Sequence, residues 1–308
     1  MAKGTHDYQP DARNADIKIS VNGELFARAE ARVSVFDSGF VLGDGVWEGL
    51  RLHKGGLPFL DMHLDRLYQG AKAIDLDIGL TRAQLTERLL LVLRANHMRD
   101  HVHIRLMVTR GVKATPHQDP RFTLSSATVV IIPEYKEPLP ATVEQGIRLF
   151  TVHVRRGAPD VQDPKLNSHS KLNDILACIQ ATKAGYDEAL MLDPHGFVAT
   201  CNSTHFFMVR KNEVWTSSGK YCLGGITRAN VLRLCHAHGI AAHEKDFSLT
   251  DVYGADEAFV TGTFAGVVPV KEIDGRIIGM GTRGAMVARL QQLYMALVTE
   301  ESAQGPQV

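Results

Sequence analysis

Apolar and polar residues alternate through IKISVNGELF (residues 17–26), with Asn22-Gly23 at the centre. This pattern predicts a tight hairpin. WEGLRLHKGGLPFL (47–60) reads as a second hairpin around Gly55-Gly56. The period then lengthens. In DMHLDRLYQGAKAI, Met62, Leu64, Leu67, Ala71 and Ile74 recur at helical spacing. TRAQLTERLLLVLRANH repeats that spacing, with Thr81 placed to cap it. HVHIRLMVTRG and SSATVVIIPEY return to strand patterning. PEYKEPLPATVEQG (133–146) holds three prolines and no period, and a domain boundary is expected there.

The second half opens with a strand, IRLFTVHVRR, and continues after a polar loop with a helix, KLNDILACIQATKAG, closed by Gly185. EALMLDPHGFVATC and HFFMVRKNEVWTS predict hairpins turning at Pro194-His195-Gly196 and at Lys211-Asn212. TRANVLRLCHAHG predicts a helix ending at Gly239. EAFVTGTFAGVVPVKEIDGRII reads as strand, glycine turn, strand and hairpin, and a last amphipathic helix spans about 282–301. No repeat or low-complexity block interrupts the pattern. The chain is therefore expected to be α+β, with a flexible tail at 1–15, a small domain at 16–135, a linker at 136–146 and a larger domain at 147–308.

Composition narrows the function. The 308 residues carry 34 basic and 34 acidic side chains, which speaks against a dedicated nucleic-acid binder. Apolar runs such as 89–93 are too short to span a bilayer, and the polar N-terminal stretch lacks the apolar core of a secretory signal. Cys178, Cys201, Cys222 and Cys235 show no zinc spacing, so no metal site is expected and a reducing, cytoplasmic setting is the default.

Three stretches suit an anionic ligand. CLGGITRANV (222–231) puts two glycines directly before a helix start, where unpaired N–H groups attract a phosphate; Gly225 permits close approach and Thr227 adds a hydroxyl. An ordinary capped glycine turn reads the same way. VTGTFAGV (260–267) runs a strand into a Gly-Thr turn with hydroxyls at Thr261 and Thr263. HLDRL (63–67) sets His63 and Arg66 on one helix face, where Arg66 can hold a phosphate or simply be solvated. Together they suggest a phosphorylated ligand.

VSVFDSGFVLGDGVWEGLR (33–51), HLDRL, GYDEALMLD (185–193), GGITRANV and ADEAFVTGTFAGVVPVKEIDG (255–275) occur in this order. In them the chain closely resembles the class IV aminotransferases: branched-chain aminotransferase, D-amino acid transaminase and aminodeoxychorismate lyase. The resemblance covers roughly residues 16–281. It implies the two-domain fold type IV, the cofactor pyridoxal 5′-phosphate (PLP), and an active site completed in a homodimer. It places the cofactor phosphate on Arg66, Ile226, Thr227 and Thr263, beside the Gly225 turn already singled out. It places the substrate pocket on Phe36, Leu42, Trp47, His103 and Arg105.

Two positions depart from the family pattern. PLP chemistry needs an amine that condenses with the cofactor aldehyde. In DPKLNSHSKLNDILA (163–177) the family lysine falls on Asn167, which cannot do this. Lys171 stands where many relatives have a tyrosine that bonds the cofactor's phenolic oxygen. Positions 167 and 171 are one helical turn apart, so Lys171 is expected to form the internal aldimine, with Lys165 as the alternative. The glutamate that protonates the pyridine nitrogen in relatives is here Thr200, with His205 nearby. Arg105 and Arg110 are candidates to meet a substrate carboxylate; Thr115 stands where D-amino acid transaminases have an arginine that helps trap it, and the histidine of that segment survives as His117. The resemblance thus implies an aminotransferase acting on an amino donor and an oxo acceptor. A PLP lyase or racemase on the same scaffold, or a silent PLP-binding relative, are the rival readings.

Overall fold

Asn22 and Gly23 both take positive φ, 54° and 93°, and fold β1 (Lys18–Val21) back onto β2 (Glu24–Ala27). That local event begins the first of two units into which the chain divides in the computed structural model, which describes residues 4–308. This unit comprises Pro10–Glu137, Leu166–Ser170 and Val298–Val308. A short helix α1 (Ser38–Leu42) precedes β3 (Gly45–Leu52); then come α2 (Leu60–Ala73), α3 (Arg82–Ala95), β4 (Val102–Thr109) and β5 (Thr128–Tyr135). The sheet runs β2-β1-β5-β4-β3, all antiparallel. Leu60, Leu64, Leu67 and Ala71 of α2 and Leu85, Leu89 and Leu93 of α3 bury the predicted stripes in one core with Leu50, Leu52, Ile104 and Leu106. Each of the leucines and Ile104 contributes about 1.5–3 kcal/mol through burial. Thr81 caps α3 in a reciprocal box with Gln84.

One predicted hairpin is replaced by a different pairing. The turn at 53–56 feeds directly into α2, and β3 pairs along its length with β4. Leu57 and Leu60, read as a return strand, are buried in the helix–sheet core instead. Segment 166–170 also belongs to this unit. It lies strand-like against β3, with Trp47 N donating to Asn167 O (3.0 Å) and His169 N to Gly45 O (3.0 Å).

The other unit contains residues 4–9, Pro138–Lys165 and Lys171–Leu297. Its elements are α4 (Pro140–Gln145), β6 (Ile147–Thr151), α5 (Pro159–Gln162), α6 (Leu172–Lys183), β7 (Glu188–Leu192), β8 (Val198–Cys201), β9 (His205–Arg210), β10 (Glu213–Thr216), α7 (Ile226–Ala237), β11 (Ala242–Glu244), α8 (Leu249–Tyr253), β12 (Glu257–Gly262), β13 (Gly266–Ile273) and β14 (Arg276–Ile277). The last helix, α9, spans Ala285–Gln304. The sheet order is β11-β10-β9-β12-β13-β6-β7-β8, with β14 beside β13. Both hairpins expected between β7 and β10 form. Val260, Val268, Phe206 and Met208 fill one face.

Two stretches expected to be irregular are built in. Pro140 starts α4, where its missing N–H costs nothing. Of the expected tail, residues 1–3 lie outside the described residues. Thr5 is buried against Glu188, and Asn14 exchanges two hydrogen bonds with the backbone of Tyr135 (2.9 and 2.8 Å). Polar residues there find buried partners, a pairing that hydropathy does not register.

Candidate active site

Helix α7 begins at Gly225 with no side-chain cap, so its first amides keep their positive end for something else. His205, on β9, packs directly beneath. A Cβ on Gly225 would overlap the imidazole ring, so any other residue there forces His205 to move. His205 Nε2 lies 2.7 Å from the Leu223 carbonyl oxygen and donates to it. Across the sheet His205 pairs with Thr261 of β12, which places the two side chains on the same face. Thr227 is buried, its hydroxyl 3.3 Å from that of Tyr294. Thr263 is half-buried in the turn joining β12 to β13. Gly225, Ile226, Thr227, His205 and Thr263 thus sit on adjoining elements of one unit.

Two buried polar atoms belong to these elements and have no partner: Thr261 Oγ1, beside His205, and Asn230 Nδ2, one turn along α7 from Ile226. An orphaned buried donor is costly, about 1–3 kcal/mol. Bare helix amides, a glycine allowing close approach and unsatisfied buried donors make a donor set that fits a phosphate-bearing group.

Thr200 is buried on β8, and its hydroxyl donates to the Thr204 carbonyl oxygen at 2.8 Å. Its hydrogen is therefore committed to the backbone. Neighbouring Thr204 donates to Glu188 (2.7 Å), a carboxyl that burial pushes above its usual value against the hydrogen bonds from Thr5 and Thr204.

The polar loop resolves the fates of its candidates. Asn167 is buried, and its side-chain Nδ2 donates to Trp47 O at 2.6 Å, closing a two-way link with β3. Lys165 is exposed. Lys171 stands at the N-cap position of α6 with no capping bond from its side chain, half-buried, with Nζ 3.9 Å from Asp174 Oδ2. Arg156 binds the other oxygen of Asp174. The expectation that 167 and 171 stand one helical turn apart is overturned: α6 starts at Leu172, and the preceding residues are extended because they pair with β3.

In the other unit, Trp47, His103 and Arg105 share the sheet face turned away from α2 and α3. The Arg105 guanidinium stacks 4.1 Å from the Trp47 ring centroid. Gly49 leaves room between them; a Cβ there would come within 3.2 Å of His103 Nε2. Phe36 and Leu42 lie just before β3, Phe36 exposed and Leu42 at the end of α1. Arg110 is structural: it grips Asp44 with two nitrogens (2.7 and 3.0 Å) and caps two backbone carbonyls at the end of α2. Thr115 and His117 are exposed in the loop after β4.

Arg66 is held by Glu48, which sequence reasoning missed. Arg66 Nε and Nη2 donate to the two oxygens of Glu48 at 2.8 and 2.7 Å, and His63 Nδ1 lies 2.7 Å from Oε2. Burial alone would raise the Glu48 carboxyl, but the bonds from Arg66 and His63 overcome it and hold it below the usual value. Burial pulls His63 down, so the imidazole is neutral and donates through Nδ1. The signal was available. Val46, Glu48, Leu50 and Leu52 form the inward register of β3, and a lone charge among apolar residues there demands a partner.

Among the described residues no cluster suits a metal ion, and no helix is long and apolar enough to cross a membrane. The family model for amino-transferase class IV matches residues 45–273. Branched-chain-amino-acid aminotransferase-like protein 2 of Arabidopsis thaliana is 42% identical over 288 residues, covering 94% of this chain but 51% of that protein. The chain thus spans about half the length of the Arabidopsis relatives it matches. A putative branched-chain-amino-acid aminotransferase of Methanocaldococcus jannaschii is 42% identical, covering 92% of this chain and 97% of that one. The T.th. branched-chain amino acid aminotransferase, solved with pyridoxamine 5′-phosphate, superposes with a TM-score of 0.86 at 31% identity, over 92% of this chain and 95% of that one. By these matches, and by the architecture they share, the chain belongs to the class IV aminotransferases of fold type IV.

Proposed function

We propose that this chain is a PLP-dependent aminotransferase that moves an amino group between an amino acid or amine and an oxo acid. The donor set at the start of α7, with partnerless Thr261 and Asn230 beside it, carries the reading, because it suits a phosphorylated cofactor. The cofactor supplies the aldehyde and the electron-withdrawing ring of the reaction. The amides of Ile226 and Thr227 and the Thr263 hydroxyl would hold its phosphate. Lys171 supplies the amine that the aldehyde requires and moves the substrate proton. It is half-buried where Lys165 is exposed, and Asn167 has no amine to offer. Trp47, His103 and Arg105, with Phe36 and Leu42, form the substrate surface, and Arg105 meets a carboxylate. The enzyme works as a homodimer. Its free cysteines suit a reducing, cytoplasmic setting.

Two observations favour a second reading, a PLP-binding relative without a covalent link. Asn167 is used as a structural clamp, and Thr200 brings neither charge nor hydrogen to a ring nitrogen. Borohydride reduction followed by peptide mapping separates them. A pyridoxyl group on the peptide carrying Lys171, absent from Lys171→Ala, supports the aminotransferase. Bound PLP with no labelled lysine establishes the second reading, and a label on Lys165 moves the amine there. Product analysis with amino donors then distinguishes a transferred amino group from the free ammonia or inverted stereocentre of a lyase or racemase.

A further inference from the structure

We propose that Tyr294, on α9, is a positioning residue for the cofactor phosphate; this rests on the reading that the start of α7 and the β12–β13 turn hold that phosphate. The partnerless Asn230 amide on α7 and Thr261 hydroxyl on β12 point to a ligand at these elements. The two are separate in sequence, so their spacing must be fixed if both are to meet one group. Tyr294 touches both. Its hydroxyl lies 3.3 Å from that of Thr227, the second residue of α7. Its ring packs on Gly266, which closes the turn by pairing with Gly262. Gly266 has a φ of 69°, and a Cβ there would come within 3.1 Å of the ring. Thr263 stands between the two glycines. Helix α7, the turn and Tyr294 all belong to one unit.

Helix α9 is itself anchored. At its start, Glu257 of β12 accepts from the Met286 and Val287 amides (3.0 and 2.8 Å). One turn before Tyr294, Gln291 Nε2 donates to the carbonyl oxygens of Val267 and Val143, each at 2.9 Å. Arg289 Nη2 donates to His238 O (3.3 Å) at the far end of α7. The helix is thus tied to the β12–β13 hairpin at several levels and to α7 at both ends. Tyr294 is only 5% exposed. Phenylalanine would pack on Gly266 equally well, so the hydroxyl is there for its partner. The first turn of a helix frays readily, because its amides lack intrahelical partners. The bond between Tyr294 and Thr227 ties that turn down before a ligand arrives, which removes an ordering cost from binding.

Phosphate selectivity tests this. The full chain, freed of cofactor, is titrated with PLP and with unphosphorylated pyridoxal, and the ratio of the two affinities is read. Tyr294→Phe deletes one oxygen and keeps the ring. The ratio should fall about threefold or more, with pyridoxal affinity changed less than about twofold. Thr227→Val breaks the same bond from the other side, so adding it to Tyr294→Phe should lower the ratio no further. If the two falls multiply in the double variant, or if Tyr294→Phe weakens both ligands equally, the positioning role is wrong. If Tyr294→Phe leaves the ratio intact while Thr263→Val lowers it, the positioning role is wrong and the phosphate reading stands. If Thr263→Val preserves the ratio, the phosphate does not sit at this turn and that reading fails instead. Circular dichroism checks the fold of each variant. Should Tyr294→Phe not fold, an intact ratio in Thr227→Val overturns the proposal, and a fall there that Thr227→Ser restores supports it.

Discussion

His63 shows how firmly burial can fix a charge state. Its folded-state pKa is depressed by burial, with Glu48 opposing only in part. The unfolded chain therefore takes up a proton near pH ~6.5 before the folded chain does. The stability linked to His63 is full above that pH and is lost as pH falls. Urea unfolding from pH 7 to pH 5 should show declining stability, and His63→Gln should make the decline shallower. An unchanged slope in that variant would mean that His63 titrates normally. Glu188 runs the other way. Its folded pKa is raised by burial, so its contribution is full below the unfolded carboxyl value, ~4.3, and is lost as pH rises through the folded value. Glu188→Gln, keeping an acceptor for Thr5 and Thr204, should unfold at higher urea than the parent at pH 8, and a lower midpoint would sink this reading. At this scale the sequence was half legible. Glycines before a helix and a hydroxyl beside them announce an anion site because the chemistry is local. Glu48, Glu188 and the clamp made by Asn167 depend on partners 15 or more positions away, and no local pattern shows them.

Elements were most legible where one face meets one core. Helices α2, α3 and α7 and the two hairpins between β7 and β10 follow directly from period and turn residues. The reading failed where a tertiary partner overrode the local pattern. β3 ignored the nearby glycine turn because β4 offers an eight-residue antiparallel ladder. The approach to α6 stayed extended because the loop before it pairs with β3. The start of α7 gives the element scale its test. Gly225 and the His205 ring are in contact, so Gly225→Ala should destabilise by about 1–3 kcal/mol through overpacking. His205→Ala should absorb much of that penalty, since it removes the obstruction. A double-mutant cycle by urea melts measures the coupling. If the two changes simply add, the helix start does not rest on the imidazole.

The whole molecule was legible as a family before it was legible as geometry, because five motifs in order constrain a fold more than any single element does. What they leave to physics is how the outer surfaces are used. On α6, Leu172, Ile175, Leu176 and Ile179 are exposed at 64, 51, 45 and 44%. They fall at the spacing i, i+3, i+4, i+7, so they form one continuous stripe along the helix. The inward side of the same helix is closed by the small residues Ala177 and Ala181 against Ala189 and Met191. A soluble chain rarely leaves such a stripe in water, and obligate interfaces are made of this composition. With a homodimer proposed for this chain, the α6 stripe is the surface to test. Sedimentation velocity should give a dimer for the parent protein. Ile175→Asp with Leu176→Asp places two charges in the middle of the stripe and should give monomers with unchanged circular dichroism. Charges that leave the dimer intact would assign the interface to another face, and a monomeric parent would remove the homodimer from the proposal altogether.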